Sequence, residues 1–371
     1  MEILTYIIPF LVLITVVVFI HEYGHYYFAK KYGVGVTDFS IGFGKEIFGF
    51  NDKSGTRWKF CAIPLGGYVK FFGDRNVFSQ AEQEQLLMQY NERDQKKLFV
   101  TKPLYQRSLV VAAGPIANFI LAIIIFSLIY IFAGKDFTPA QIQEVQKNSP
   151  AQVVGIKKND IILSIDDNKI ESIMDVSTYI NISANDLIDL KVLRNNEELK
   201  FSIKPEKILS QDSLGNSINK KIIGVKVSPP NNQFNKKKLG PTKAFFYASK
   251  ETWFVTKTSL DFIFLMFRGK GDVKQLGGPI KIAKITGQVS QHGLIAFFSI
   301  MAYISISLGL INLFPIPMLD GGHLMFYAFE KILGKPLKQS TQEGFYRIGL
   351  FLLISLMLFT TFNDLKDIGL F

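Results

Sequence analysis

The chain has 371 residues, 48% of them hydrophobic and 13% aromatic, and its mean hydropathy of +0.20 is that of a membrane protein. One cysteine, Cys61, excludes an internal disulfide framework and any thiolate cluster, so a metal site must draw on carboxylates and the four histidines, His21, His25, His292 and His323. The net charge of +11 is spread over loops between apolar runs and carries no motif that reads nucleic acid; anionic membrane lipid is the simpler partner.

The first apolar stretch, about residues 3–29, has no charged side chain before Ile20 and then delivers His21-Glu22-Tyr23-Gly24-His25. Two imidazoles and a carboxylate at membrane depth are costly without partners. Positions i and i+4 of a helix share a face, so His21 and His25 can present two nitrogens to one metal, with Zn2+ the natural guest. Glu22 is rotated off that face, where it can hold an activated water as general base without ligating. The leading edge carries Glu2 and no Lys or Arg, and no small-residue cleavage site follows, so the stretch reads as a retained span.

Across residues 31–107 the pattern changes to short alternating runs at 39–43, 47–50, 57–63 and 68–72, punctuated at Gly44, Asn51-Asp52, Gly55 and Gly66-Gly67. This predicts a β-meander beside the metal. It is either a cytoplasmic cap that shields the site or an exposed edge strand that takes up extended substrate by β-addition, with Tyr68 and Val69 as contacts. Residues 79–97 are polar and helix-prone. A second span, 108–134, opens with Ala112-Ala113-Gly114-Pro115; its Asn118 needs a partner in the membrane, and an interhelical packing bond is expected.

An α+β module is predicted over residues 135–207, with strands at 161–165, 187–193 and 199–203 and a helix at 174–182. Ser149-Pro150-Ala151 marks a helix start, and Asn159 stands where a turn wants positive φ. Residues 208–240 read as a linker around a short strand, 222–227. Residues 241–292 read as interfacial helices, because Phe245, Phe246, Trp253, Phe254 and Phe262 alternate with charged residues. A third span, 293–322, ends in Asn312-Leu313-Phe314-Pro315-Ile316-Pro317-Met318-Leu319-Asp320-Gly321-Gly322, where two prolines break the ladder and Asp320 is presented at the broken end. A cytoplasmic loop, 323–345, a fourth span, 346–363, and a tail, 364–371, complete the chain.

The loop between spans one and two holds thirteen Lys or Arg against eight acids, and residues 321–347 add Lys331, Lys335, Lys338 and Arg347. Both are expected in the cytoplasm, with the termini and the 135–292 region outside. Spans one and three then run in the same direction, so Asp320 arrives at the depth of His21 and His25. Three protein ligands leave a fourth position for water.

With both elements in hand, the chain resembles the site-two protease family of intramembrane zinc metalloproteases, most closely its bacterial RseP type. The resemblance rests on the HEYGH motif at His21, the Ile63-Pro64-Leu65-Gly66-Gly67-Tyr68-Val69-Lys70 segment, Ala113-Gly114-Pro115 and the Asn312–Gly322 block. It implies a polytopic α-helical membrane protein of four transmembrane helices, with a cytoplasmic membrane-associated β-meander and one extracytoplasmic PDZ-like α+β domain. It also implies His21, His25 and Asp320 as zinc ligands, Glu22 as catalytic base, and Asn312 and Pro315 as substrate contacts. Implied substrates are single-span membrane proteins, namely trimmed anti-sigma factors and remnant signal peptides, cut at the bacterial inner membrane. Peptide ends are the implied partner of the PDZ-like module, whose mark is Gly155-Ile156-Lys157-Lys158-Asn159-Asp160. The family's tandem PDZ pair has room for only one module here. A competing reading is a membrane-anchored binding protein with a structural metal and a filled fourth position. A zinc transporter would instead place polar groups at successive depths, which spans two and four do not offer beyond Asn118 and a few hydroxyls.

Overall fold

The computed structural model describes residues 2–73, 89–183, 185–211, 217–271 and 276–367. In chain order its main elements are α1 (Glu2–Lys31), β1 (Val36–Asn51), β2 (Arg57–Phe71), α2 (Leu104–Phe132), β3 (Ala140–Val145), β4 (Ile161–Ile165), α3 (Ile173–Ile182), β5 (Ile188–Arg194), β6 (Glu197–Ile203), β7 (Glu206–Gln211), β8 (Ser217–Ile222), β9 (Val225–Ser228), α4 (Pro241–Phe267), α5 (Pro279–Ser290), α6 (Leu294–Leu313), α7 (Asp320–Leu333) and α8 (Gln339–Asp367). They form two units, Met1–Phe126 with Gly277–Phe371, and Ser127–Leu276.

Four helices, over Leu4–Lys31, Leu104–Phe132, Leu294–Leu313 and Ser340–Asp367, are long and apolar enough to cross a membrane. In the first unit α2 packs on α1 where Gly24 faces the carbonyl of Ala113 and the Cβ of Ala117. Any side chain at Gly24 would push the two helices apart.

The four alternating runs between α1 and α2 are segments of two long bent strands. Residues 46–51 pair with 57–61, residues 57–60 with 38–41, and 38–41 with 67–70. The spatial order is therefore not that of the predicted meander. β1 turns back at Gly42 and Gly44, whose φ values of 89° and 86° L side chains rarely adopt. Of the predicted polar helix at 79–97, residues 79–88 lie outside the described residues; Glu92–Gln95 is one short helical turn capped by Asn91.

The third span also differs from its prediction. α6 stops at Leu313, because Pro315 and Pro317 cannot continue the ladder. Asp320 begins a separate helix, α7, which occupies much of the predicted 323–345 loop. Gly321 makes this possible by lying against the carbonyls of Leu313 and Phe314, and α7 buries Phe326 and Tyr327.

In the second unit five strands in the order β9-β3-β4-β5-β6 form a twisted sheet, with the short strand Asn168–Lys169 beside β4. Ile188, Leu190 and Val192 alternate inward along β5, meeting Ile142, Ile162, Ile165 and Ile203 in one apolar core under α3. Asp160 is fully buried and accepts from both Nε and Nη2 of Arg194, each at 2.7 Å. Asn159 has φ 71°, as the turn requires. The 208–240 segment is more than a linker: β7 and β8 form a hairpin, and β9 completes the sheet by pairing with β3. Its short apolar runs concealed this role, since a strand's partner is not encoded in its own alternation.

Candidate metal centre

One turn of α1 separates His21 from His25, and the rings meet edge to face with centroids 4.8 Å apart. Their Nε2 atoms are 3.2 Å apart. Asp320, in the first turn of α7, brings Oδ2 to 3.1 Å from His21 Nε2 and 3.5 Å from His25 Nε2. The side chains of the three residues are 9%, 12% and 18% exposed, so the cluster is sheltered without being sealed. Atoms held at the roughly 2.0–2.1 Å that zinc keeps from nitrogen and oxygen lie about 3.3 Å apart on a tetrahedron. The three separations bracket that value, and the donor set, two imidazoles and one carboxylate, is one that zinc takes in catalytic sites.

The tautomer of His25 agrees with this use. Its Nδ1 lies 2.9 Å from the carbonyl oxygen of Val110, to which only an N–H can donate, and this leaves the lone pair on Nε2 facing the cluster. The carbonyl belongs to the turn of α2 just before Pro115, which lacks the N–H that would bond the carbonyl of Val111. Between them Gly114 offers bare backbone to the His25 ring.

Glu22 is adjacent in sequence but faces the β-sheet. Gly67 lies against it, with an ideal Cβ position 3.1 Å from Glu22 Cγ. Tyr68 pairs with Ser40 and stacks on Phe43 at 6.3 Å. Asn312 is partly buried on the last turn of α6, and Pro315 is exposed in the turn that follows. The other two histidines are engaged elsewhere, His323 with the Tyr346 hydroxyl at 3.3 Å and His292 with the Gln288 carbonyl at 3.0 Å.

The sequence did not reveal four supports of the cluster. The Val110 carbonyl and the bare face of Gly114 carry no side-chain signal. Asn118 was expected to make a packing bond, and its amide lies 3.3 Å from Nδ1 of His21. The fourth support is a clasp: Arg107 donates Nη1 and Nη2 to Glu330 at 3.2 and 2.5 Å, tying the start of α2 to the helix that begins at Asp320. A Glu ten residues after Asp320 in a predicted α7, had that helix been foreseen, would have pointed to it.

The sequence profile of Peptidase family M50 matches residues 9–356. The chain is 40% identical over 363 residues to a protein of Agrobacterium fabrum that bears the name zinc metalloprotease, covering 98% of this chain and 96% of that one. It is 34% identical over 386 residues to metalloprotease MmpA of Caulobacter vibrioides, covering 98% and 96%. Among solved structures, the PDZ domain of an SdrC-like protein from Listeria monocytogenes matches 24% of this chain and 88% of that one at 21% identity, with a TM-score of 0.20, too slight a likeness to bear on the fold. By the extent of the profile match and the near full-length relatives, the chain belongs to peptidase family M50 and is a zinc metalloprotease.

Proposed function

We propose that this metalloprotease is an intramembrane endopeptidase that hydrolyses peptide bonds in or beside the transmembrane segment of single-span membrane proteins. The observation that carries the reading is the convergence of His21 Nε2, His25 Nε2 and Asp320 Oδ2 within 3.1–3.5 Å on helices whose neighbours are long apolar spans. Hydrolysis inside a membrane needs water activated at one point and a substrate unwound at that point.

His21, His25 and Asp320 hold the metal in this reading. Zinc bound there supplies Lewis acidity, lowering the pKa of water toward about 7 and polarising the scissile carbonyl. Glu22 accepts the proton of the attacking water and returns it to the leaving amine. The edge of β2 at Tyr68 and Val69 receives the substrate as an extended strand, with main-chain hydrogen bonds supplying affinity and keeping the peptide bond unwound. Asn312 and Pro315, at the end of α6, flank the cut bond.

The basic loops at 30–107 and 321–347 support a reading in which this centre lies near the cytoplasmic face of a bacterial inner membrane. The termini and the α+β module then lie outside, where the module, read as PDZ-like, binds peptide ends or excludes untrimmed substrates. Trimmed anti-sigma factors and remnant signal peptides are the substrate classes that the resemblance supports. The test is reconstitution of the purified protein with a model single-span substrate and mapping of the products by mass spectrometry. Cuts within the span or at its boundary are expected; cuts confined to soluble tails contradict the reading.

A further inference from the structure

Asn118 is completely buried on α2. Its backbone carbonyl accepts from Ser305 Oγ at 2.9 Å, and its Cβ lies against Gly309, so α6 holds it in place from behind. Its side-chain amide meets Nδ1 of His21 at 3.3 Å, while the other end of that amide, drawn as Oδ1, has no hydrogen-bond partner. Rotating the amide by half a turn exchanges its oxygen and nitrogen at almost no change in shape. One end of the amide is unpaired in either orientation, so the choice is made at His21.

His21 directs Nε2 at His25 and Asp320. A neutral imidazole that keeps its Nε2 lone pair for a cation carries its proton on Nδ1, which then can only donate. An amide NH2 opposite that N–H would set two donors face to face. We infer that Asn118 is a positioning residue for the reaction: it presents Oδ1 to the Nδ1–H of His21 and so fixes the ring and the tautomer that leave Nε2 free for zinc. The inference rests on the reading of His21 as a zinc ligand.

The arrangement repeats along one stripe of α2. Residues 110, 114 and 118 are spaced by four and share a helix face. The first offers a carbonyl to Nδ1 of His25, the second makes room for that ring, and the third offers an amide oxygen to Nδ1 of His21. One helix therefore orients both imidazoles, each through the nitrogen that faces away from the cluster. Such outer partners typically change metal affinity by about 10–100-fold.

The test measures zinc affinity of the full-length protein in detergent by competition with a chromophoric chelator, alongside thermal unfolding of the zinc-free protein. Asn118→Leu keeps the volume and loses the acceptor; Asn118→Asp keeps the acceptor and loses the NH2. The expected result is about 10–100-fold weaker zinc binding for the Leu variant with apo unfolding unchanged, and affinity within a few fold of wild type for the Asp variant. Wild-type affinity in the Leu variant overturns the proposal, as does a loss in the Asp variant as large as that in the Leu variant. Should the Leu variant fail to fold, the Asp variant decides alone, because a donor or packing role predicts that it loses zinc. His21→Ala run in parallel separates the premises: undiminished zinc binding there means that His21 is not a ligand.

Discussion

Gly114 on α2 and His25 on α1 are in direct contact: a Cβ built on Gly114 would fall on Nε2 of the imidazole, 2.5 Å from Cε1 and 2.9 Å from Cδ2. The metal-facing atom of one proposed ligand thus rests on backbone that only glycine exposes. Gly114→Ala should displace the His25 ring and weaken zinc binding at least tenfold, with an overpacking cost of about 1–3 kcal/mol. Gly344→Ala, on α8 with nothing within 4 Å, is the matched control. It should leave zinc binding unchanged and stabilise its helix by about 0.5–1 kcal/mol. Chelator competition and thermal unfolding of both variants check the contrast.

The Arg107–Glu330 clasp is largely buried, its side chains 9% and 18% exposed, and the guanidinium also sits 5.1 Å from the Tyr327 ring centroid. Glu330→Ala strands a desolvated cation and should cost about 3–5 kcal/mol, far more than loss of an exposed pair. Because Glu330 and Asp320 share α7, zinc occupancy should fall with it. A double-mutant cycle with Arg107→Met should recover part of the stability; additive losses would show that the two side chains do not act as a pair.

Asp52 anchors the sheet to α1. Its carboxylate accepts from the Tyr26 hydroxyl at 2.7 Å, Trp58 Nε1 at 3.2 Å, and the Ser54 and Thr56 amides at 2.8 and 2.9 Å. Burial alone would raise its pKa, but the hydrogen bonds from Ser54, Tyr26, Thr56 and Trp58 outweigh that and hold it well below the usual carboxylate range. A depressed folded-state pKa gives stability that is present above the unfolded value of about 3.9 and is lost as pH falls below it. Wild-type unfolding temperature should therefore drop through this acid range, while Asp52→Asn starts lower at neutral pH and drops less. Parallel acid limbs in the two proteins would contradict the assignment.

Asp364, 2% exposed near the end of α8, caps a different helix. Its Oδ1 accepts from the Gly278 amide at 2.9 Å and its Oδ2 from the Lys281 amide at 3.0 Å, satisfying two orphan donors at the N-terminus of α5. Asp364→Ala should destabilise this corner by about 1–2 kcal/mol. Hydrogen exchange at the Lys281 amide should quicken markedly while exchange along α2 stays unchanged.

His21, His25 and Asp320 could be nominated from sequence because two local rules sufficed: residues four apart share a helix face, and two spans of the same direction end at the same depth. The structure brings these three side chains together. The four β-runs were equally legible, since alternation is local, but their order was not. Residues 67–70 lie beside 38–41, a pairing created by the bends at Gly42 and Gly44. The separate helix at Asp320 was hidden because Gly321-Gly322 reads as a stop, whereas here the glycines let a new helix pack against the end of the previous one. The Val110 carbonyl and the partner of Asn118 were out of reach for a simpler reason. Which atoms of α2 face which ring is decided by helix packing, and small residues allow close contact without specifying rotation.

The most direct measurement compares wild type with Glu22→Gln for bound zinc and for cleavage of a reconstituted single-span substrate. Glu22 lies against Gly67 and is not one of the three residues whose donor atoms converge, and Gln is nearly isosteric. The account predicts full zinc occupancy in both proteins, with turnover at least two orders of magnitude lower in the variant, the low end of what a positioned general base contributes. Zinc lost together with activity would make Glu22 part of the metal site. Zinc retained with activity intact would remove it from the chemistry and contradict the mechanism.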